Sequence, residues 1–222
     1  MKKQRLNRLP STQAVLDQLT RSPNFKHYCQ LSLSLVAHIE HQGGMPLSHP
    51  ENCLRLAYGF LSHPDNKALA QTIGITNDRD RAWAALAISH HDIGKVSLPV
   101  ELLHKTGQLT TAERRVIYSH CDSGLAMIQT MSCLANLQWF EQSAQYHHER
   151  HDGSGYQGLI GSAIPPISRL CTLIDVYDTM TSRIAYRSHE HETEAALNYL
   201  TEQSDRLVDG EWTEAFAHYI RG

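Results

Sequence analysis

The sequence predicts an all-α protein. Apolar residues recur at helical spacing along most of the 222 residues, no alternating strand pattern is sustained, and turn-forming residues cluster between the apolar runs. Leu16 and Leu19, then Leu31, Leu33, Val36 and Ile39, can each line one helix face, and residues 52–61 continue in the same manner. His63-Pro-Asp-Asn reads as a turn, because the residue before proline avoids helix and Asp and Asn favour turns. The next helix is expected from about Arg79 through Trp83, Leu86 and Ile88 to His90, with Gly94 breaking it. Thr110 is the expected cap of a helix that carries Val116, Ile117 and His120, with Glu113 in its first turn. A second helix is expected beyond Gly124, with Leu125, Met127 and Ile128. Residues 151–166, rich in Gly, Ser and Pro, are expected to form a loop; residues 167–182 return to helix, and two short amphipathic helices follow over 192–200 and 213–220.

Composition narrows the function classes. With 41% hydrophobic and 19% charged residues the chain is ordinary globular material, long enough for one sizeable core. A net charge of -3 lacks the basic footprint of nucleic-acid binding, so a polymeric nucleic-acid partner is not expected. Residues 6–18 alternate polar with apolar and form no signal-peptide run, so the N-terminus reads as mature. The longest apolar stretches, residues 31–37 and 83–88, fall far below the roughly 20 residues that span a bilayer, and a soluble protein away from membranes is expected. Cys29, Cys53, Cys121, Cys133 and Cys171 form no Cys-x-x-Cys pair, which fits a reducing cytoplasm better than a disulfide framework. Fifteen histidines, several paired or beside aspartate, point toward metal.

Three motifs carry that chemistry. In Ala87-Ile-Ser-His-His-Asp-Ile-Gly-Lys95, His91 and Asp92 project about 100° apart at a helix end, so the imidazole can hold one metal while the carboxylate bridges to a second. Lys95 is then poised to neutralise a phosphate. In Tyr146-His-His-Glu-Arg-His-Asp-Gly-Ser-Gly-Tyr156, consecutive His147 and His148 suit two metals, or one metal and its supporting shell. Gly153 and Gly155 permit positive φ and close backbone approach. In Leu173-Ile-Asp175-Val-Tyr-Asp178, a carboxylate sits within an apolar helix, where either a metal or an arginine such as Arg183 or Arg187 makes it tolerable. His120 alone would read as a core or surface histidine; its case rests on this company.

Taken together and in order, these residues resemble the HD-GYP subgroup of the HD superfamily of metal-dependent phosphohydrolases. The likeness runs from His49-Pro-Glu-Asn-Cys through His91-Asp-Ile-Gly-Lys, Leu102-Leu-His-Lys-Thr-Gly, His120 ahead of Gly124, His147-His-Glu-Arg-His-Asp-Gly-Ser-Gly-Tyr and Asp175-Val-Tyr-Asp to Ala185-Tyr-Arg187. The resemblance implies an HD-domain helical bundle with the C-terminal HD-GYP helical extension over residues 49–222, preceded by residues 1–48 as helices packed on the core or forming a dimer contact. It implies two divalent transition metals, iron or manganese, held by His49, His91, Asp92, His120, His147, His148 and Asp175. His41 and His63 compete with His49 for the first place, and Met45 stands where some relatives carry a glutamate for a third metal.

The activity implied is hydrolysis of c-di-GMP to linear pGpG, or on to GMP, by a metal-bridging hydroxide, with Asp92 and Lys95 at the reacting centre and Lys95, Arg183 and Arg187 toward the substrate. One departure lies in the name-giving motif: Gln157 follows Gly155-Tyr156 in place of proline, and the loop to Gly158 is one residue short. Two rival readings keep the fold. One is a silent c-di-GMP-binding or protein-interaction module, with a regulator acting in trans through the Gly-Tyr-Gln loop; the other is an HD phosphohydrolase for another nucleotide such as cyclic GMP-AMP.

Overall fold

The computed structural model describes residues 9–19, 23–42, 45–131, 136–182 and 189–222. Among these residues the secondary structure is helical, with two isolated bridges, Asp152 to Ile160 and Ser204 to Val208, in place of any sheet. The α-helices run in the order α1 (Thr12–Leu19), α2 (Pro23–Gln42), α3 (His49–Ser62), α4 (Lys67–Ile73), α5 (Asp78–Ser89), α6 (Val100–Leu103), α7 (Thr111–Gln129), α8 (Leu137–Tyr146), α9 (Pro166–Ser182), α10 (His189–Glu202) and α11 (Gly210–Arg221). Short 3-10 turns stand at Pro64–Asn66, Ile93–Ser97 and Gly161–Ala163.

The core is built around α5. Every residue from Ala82 to Ser89 is buried, which is the signature of a helix packed on all sides. Its alanines let neighbours approach closely; α3 supplies Leu54, Leu56, Phe60 and Leu61, and α9 supplies Ile167, Leu170, Leu173 and Ile174. The last helix closes this core from the far side. Phe60 meets Trp212 and Phe216 of α11 at ring distances of 6.0 and 5.8 Å, within the range of favourable aromatic pairs. On another flank, Trp83 meets Phe140 of α8 at 6.1 Å, and Trp139 donates its indole N–H to the carbonyl of Ile73 at 3.0 Å.

The N-terminal helices share this core. Val15, Leu16 and Leu19 of α1 are buried in it, and Arg55 donates to the carbonyl of Pro10 at 2.9 Å. Helix α2 buries Leu33, Val36 and Ala37 but leaves Leu31 and Leu35 about half exposed, so Leu31 does not join the face expected of it. The reason is angular. Residues two apart on a helix point about 200° apart, and Leu33 with Val36 and Ala37 takes the inward side.

Helix α5 starts at Asp78, next to the expected Arg79, where Asn77 caps it by accepting the Asp80 N–H at 3.0 Å. Helix α7 runs unbroken through Gly124, where a break was expected. Gly124 faces the Gly94 turn, and packing against that turn outweighs the weak helix propensity of glycine. Thr110 caps α7 with a reciprocal capping box: Glu113 N–H donates to its hydroxyl at 3.2 Å, and its own N–H donates to the Glu113 carboxylate at 2.7 Å. Lys105 and Thr110 together draw the Glu113 pKa down to about 2. This contribution is therefore complete above the unfolded value of about 4.3 and is lost as the pH falls toward about 2. Thr110→Ala is expected to lower stability by about 1 kcal/mol in denaturant titration.

Candidate metal centre

Five helices deliver polar side chains to one buried place. The end of α5 brings His91 and Asp92, α7 brings His120, the end of α8 brings His147 and His148, α9 brings Asp175 and Asp178, and the first turn of α3 brings His49. His49, His91, Asp92, His120 and His147 are all 3% exposed or less, so water does not solvate them. Such a concentration of polar groups needs internal partners.

The imidazole tautomers follow from their backbone contacts. Nδ1 of His91 lies 2.8 Å from the carbonyl of Ile88, Nδ1 of His120 lies 2.6 Å from that of Ile117, and Nδ1 of His147 lies 2.9 Å from that of Ser143. A carbonyl oxygen only accepts, so each Nδ1 carries the proton and each Nε2 presents a lone pair. His49 is fixed in the same way by Asp178, whose Oδ2 accepts from Nδ1 at 2.6 Å, while Asn52 donates to Oδ1 at 3.0 Å. Four histidines thus turn acceptor nitrogens toward one another.

Those nitrogens surround carboxylates. Oδ1 of Asp92 lies 3.3 Å from Nε2 of His120 and 3.4 Å from Nε2 of His147, and Oδ2 lies 3.3 Å from Nε2 of His91. Asp175 Oδ1 lies 3.4 Å from Nε2 of His49 and 3.9 Å from Nε2 of His91. Among the described residues three groups place one ligand atom per residue within 4.8 Å of the others: Asp92 with His120, His147 and His148; Asp175 with His49 and His91; and, sharing His49, Cys53 with Asp178. Asp92 touches the first two.

Lone pairs facing lone pairs repel unless a cation lies between them. Oδ1 of Asp92 makes the point sharply, being buried without a well-formed hydrogen bond although two imidazole nitrogens face it. Nitrogen and carboxylate donors in this mixture suit a divalent first-row metal, and the residues present therefore fit a divalent metal site. The titration behaviour agrees. Burial favours a raised pKa for Asp92, but the Lys95 ammonium beside it holds it well below the ordinary carboxylate range. Burial draws His147 down to about 4 and His148 well below its usual value, which keeps both neutral and able to ligate.

The surroundings add what sequence reasoning missed. Asp178 received no role there, although its spacing of three from Asp175 puts both on one face of α9. Glu149, 2% exposed, clasps the following loop by accepting the N–H of Gln157 and that of Leu159, each at 2.7 Å. Proline in place of Gln157 could not make the first of these bonds, so the departure at this position is matched by a compensating contact. Gly153 adopts φ 82°, as anticipated; Gly155 serves instead by close approach, since a Cβ there would sit 2.5 Å from the Cα of Glu149.

The remaining expected residues are placed as follows. Lys95 pairs with Oδ2 of Asp92. His41 contacts the carbonyl of Met45 at 2.9 Å, and His63 lies near Asp65 and His218, so of the three competing histidines it is His49 that lies among the cluster. Arg183 and Arg187 lie outside the described residues. Asp178→Asn weakens the acceptor that orients His49, and metal affinity is expected to fall about 10- to 100-fold, read by competition with a chelator.

A helical bundle that gathers histidines and aspartates from five separate elements defines a metal-binding α-helical class of protein. Residues 46–212 match the HD domain family model, and the chain belongs to the HD domain family. It is 35% identical over 148 residues to a cyclic di-GMP phosphodiesterase response regulator of Xanthomonas campestris pv. campestris, a match covering 66% of this chain and 38% of that relative. In structure it resembles the cyclic GMP-AMP-specific phosphodiesterase V-cGAP3 of Vibrio cholerae, with a TM-score of 0.60 and 17% identity over 87% of this chain and 49% of the other. It also resembles an HDG"Y"P protein of Bdellovibrio bacteriovorus, with a TM-score of 0.52 and 18% identity over 78% of this chain and 52% of the other. The resemblance to the HD-GYP subgroup and the all-α fold expected from it are thereby borne out. The chain spans about two fifths to one half of the length of these proteins. Among the described residues no helix is long and apolar enough to cross a membrane.

Proposed function

We propose that this chain is a metal-dependent phosphodiesterase that hydrolyses c-di-GMP to linear pGpG. His49, His91, Asp92, His120, His147, His148 and Asp175 are its ligands for two divalent cations, iron or manganese. One observation carries the reading: Asp92 directs one oxygen toward His120 and His147 and the other toward His91, so a single carboxylate joins two ligand groups. When bound, cations supply Lewis acidity and a nucleophile at neutral pH, which is the chemistry that phosphodiester hydrolysis needs.

The chain's own residues prepare the site. Backbone carbonyls and Asp178 lock the imidazoles in one tautomer, which keeps their Nε2 lone pairs directed inward without reorganisation. Lys95, paired with Oδ2 of Asp92, supplies a positive charge at the edge of the cluster that a phosphate oxygen can share. Arg183 and Arg187 are proposed to reach the substrate phosphates and guanine. Residues 49–222 form the catalytic domain and residues 1–48 its helical annex or a homodimer contact, in the cytoplasm, with a protein regulator acting through the Gly155-Tyr156-Gln157 loop.

The name of the Xanthomonas relative favours c-di-GMP as the substrate. A second reading, hydrolysis of cyclic GMP-AMP, draws on the likeness to V-cGAP3. Anaerobic purification with metal analysis, followed by incubation with each dinucleotide and separation of the linear dinucleotide from mononucleotides, tests both. Two metals per chain and linear pGpG from c-di-GMP are expected. Metal-loaded protein that cleaves only cyclic GMP-AMP shifts the substrate, and one that binds c-di-GMP without any linear product makes the chain a receptor.

A further inference from the structure

We infer that Tyr118 is a stacking platform for one purine base of the substrate, set at the outer end of a file of rings that starts in the cation cluster; this rests on the cyclic-dinucleotide reading above. Tyr118 projects from α7 two residues before His120 and is 40% exposed. An exposed tyrosine on a helix ordinarily samples several rotamers, and this one is held. Its ring lies nearly parallel to that of Tyr156, with centroids 3.6 Å apart and planes 21° from parallel. Tyr156 in turn lies against His148 at 4.5 Å and 35°, and edge-on to His120 at 6.4 Å and 85°.

The file is anchored from behind. Glu149 clasps the N–H groups of Gln157 and Leu159 on the loop that carries Tyr156, and the backbone of Gly155 closes on that of residues 148–150. Tyr156 therefore cannot retreat, and Tyr118 inherits a fixed plane.

A phosphodiester drawn to the cluster carries its bases one sugar away from phosphorus. A flat, rigid, half-open ring two stacking steps out from His148 offers such a base a π surface. Stacking reads the face of a base and not its hydrogen-bonding edge, so guanine and adenine should gain alike, and discrimination between dinucleotides must come from elsewhere.

The test uses the full, metal-reconstituted chain as wild type, Tyr118→Ala and Tyr118→Trp. For each, the Kd, KM and kcat for c-di-GMP are measured together with the inhibition constant of inorganic phosphate, which has no base. Tyr118→Ala is expected to raise Kd and KM about tenfold with little change in kcat, Tyr118→Trp to restore them, and the phosphate constant to stay level. Unchanged Kd and KM in Tyr118→Ala overturn the proposal, as does an equal weakening of phosphate, which would mean a disturbed cluster. A wild type that binds c-di-GMP without cleaving it sinks the phosphodiesterase reading alone, and the Kd pattern of the variants then still upholds the platform. A wild type that neither binds nor cleaves c-di-GMP or cyclic GMP-AMP overturns both.

Discussion

Asp92→Ala is expected to abolish both bound metal and phosphodiester hydrolysis while leaving the helical fold in place. Asp92 is the carboxylate within reach of Nε2 atoms on three histidines and of the Lys95 ammonium, so its loss strips a donor from both ligand groups together. Losing an orienting neighbour of a ligand costs about 10- to 100-fold in affinity, and losing a shared ligand should exceed that range. If the cations supply several kcal/mol of transition-state stabilisation, turnover falls by about three orders of magnitude or more. The fold should survive. Asp92 lies beyond the end of α5 and outside the apolar core cluster, and the Lys95 side chain is already 19% exposed and can turn outward. Metal content after reconstitution, circular dichroism and product analysis on one preparation check all three. A folded Asp92→Ala protein with two metals per chain would refute the ligand assignment.

The residues that the fold gathers into the cluster were legible in the sequence because candidate donors stand in local motifs: His91 beside Asp92, His147 beside His148, and Asp175 inside an apolar helix. The supports were not, because they arise from chain segments that meet only on folding. Asp178 orients His49 across 129 positions, and nothing local to either residue announces the other. The Glu149 clasp was hidden for a different reason. Its partners are backbone N–H groups, which every residue but proline offers, so the side-chain pattern carries no trace of it.

Helix limits show the same division. The capping box at Thr110 and Glu113 is a local device and was read directly, as was the turn at Pro64–Asn66. The start of α5 was read to within one residue, at Arg79 against Asp78, although the cap itself, Asn77 accepting from Asp80, was not. The unbroken course of α7 through Gly124 was beyond local reasoning. There the packing of two glycines, thirty positions apart, decides the outcome.

Gly94→Ala is expected to be the most destabilising single methyl that can be added near the site. The sequence reading gave Gly94 the part of a helix breaker, but the glycines with positive φ are elsewhere, so conformational freedom is not what position 94 requires. It requires space. An added Cβ would lie 2.5 Å from the backbone nitrogen of Gly124 and closer still to the carbonyl oxygen of His120, and backbone atoms of a helix cannot turn aside as a side chain would. Relief demands that α7 move away from the turn at Ile93–Ser97, and α7 carries His120. Overpacking of a core side chain costs about 1–3 kcal/mol, and a clash against rigid backbone should reach the upper end of that range or pass it. Displacing His120 from Asp92 also opens the first ligand group, so metal affinity should fall together with stability. Gly124→Ala is the control, because a Cβ there meets its nearest neighbours at 3.4 Å, close to ordinary contact, and replaces glycine by a better helix former. Denaturant midpoints and chelator competition on the two variants separate the outcomes: a large loss in both measurements for Gly94→Ala and little change for Gly124→Ala are expected. Equal behaviour of the two would mean that the turn and α7 are not in the close contact on which the geometry of His120 depends.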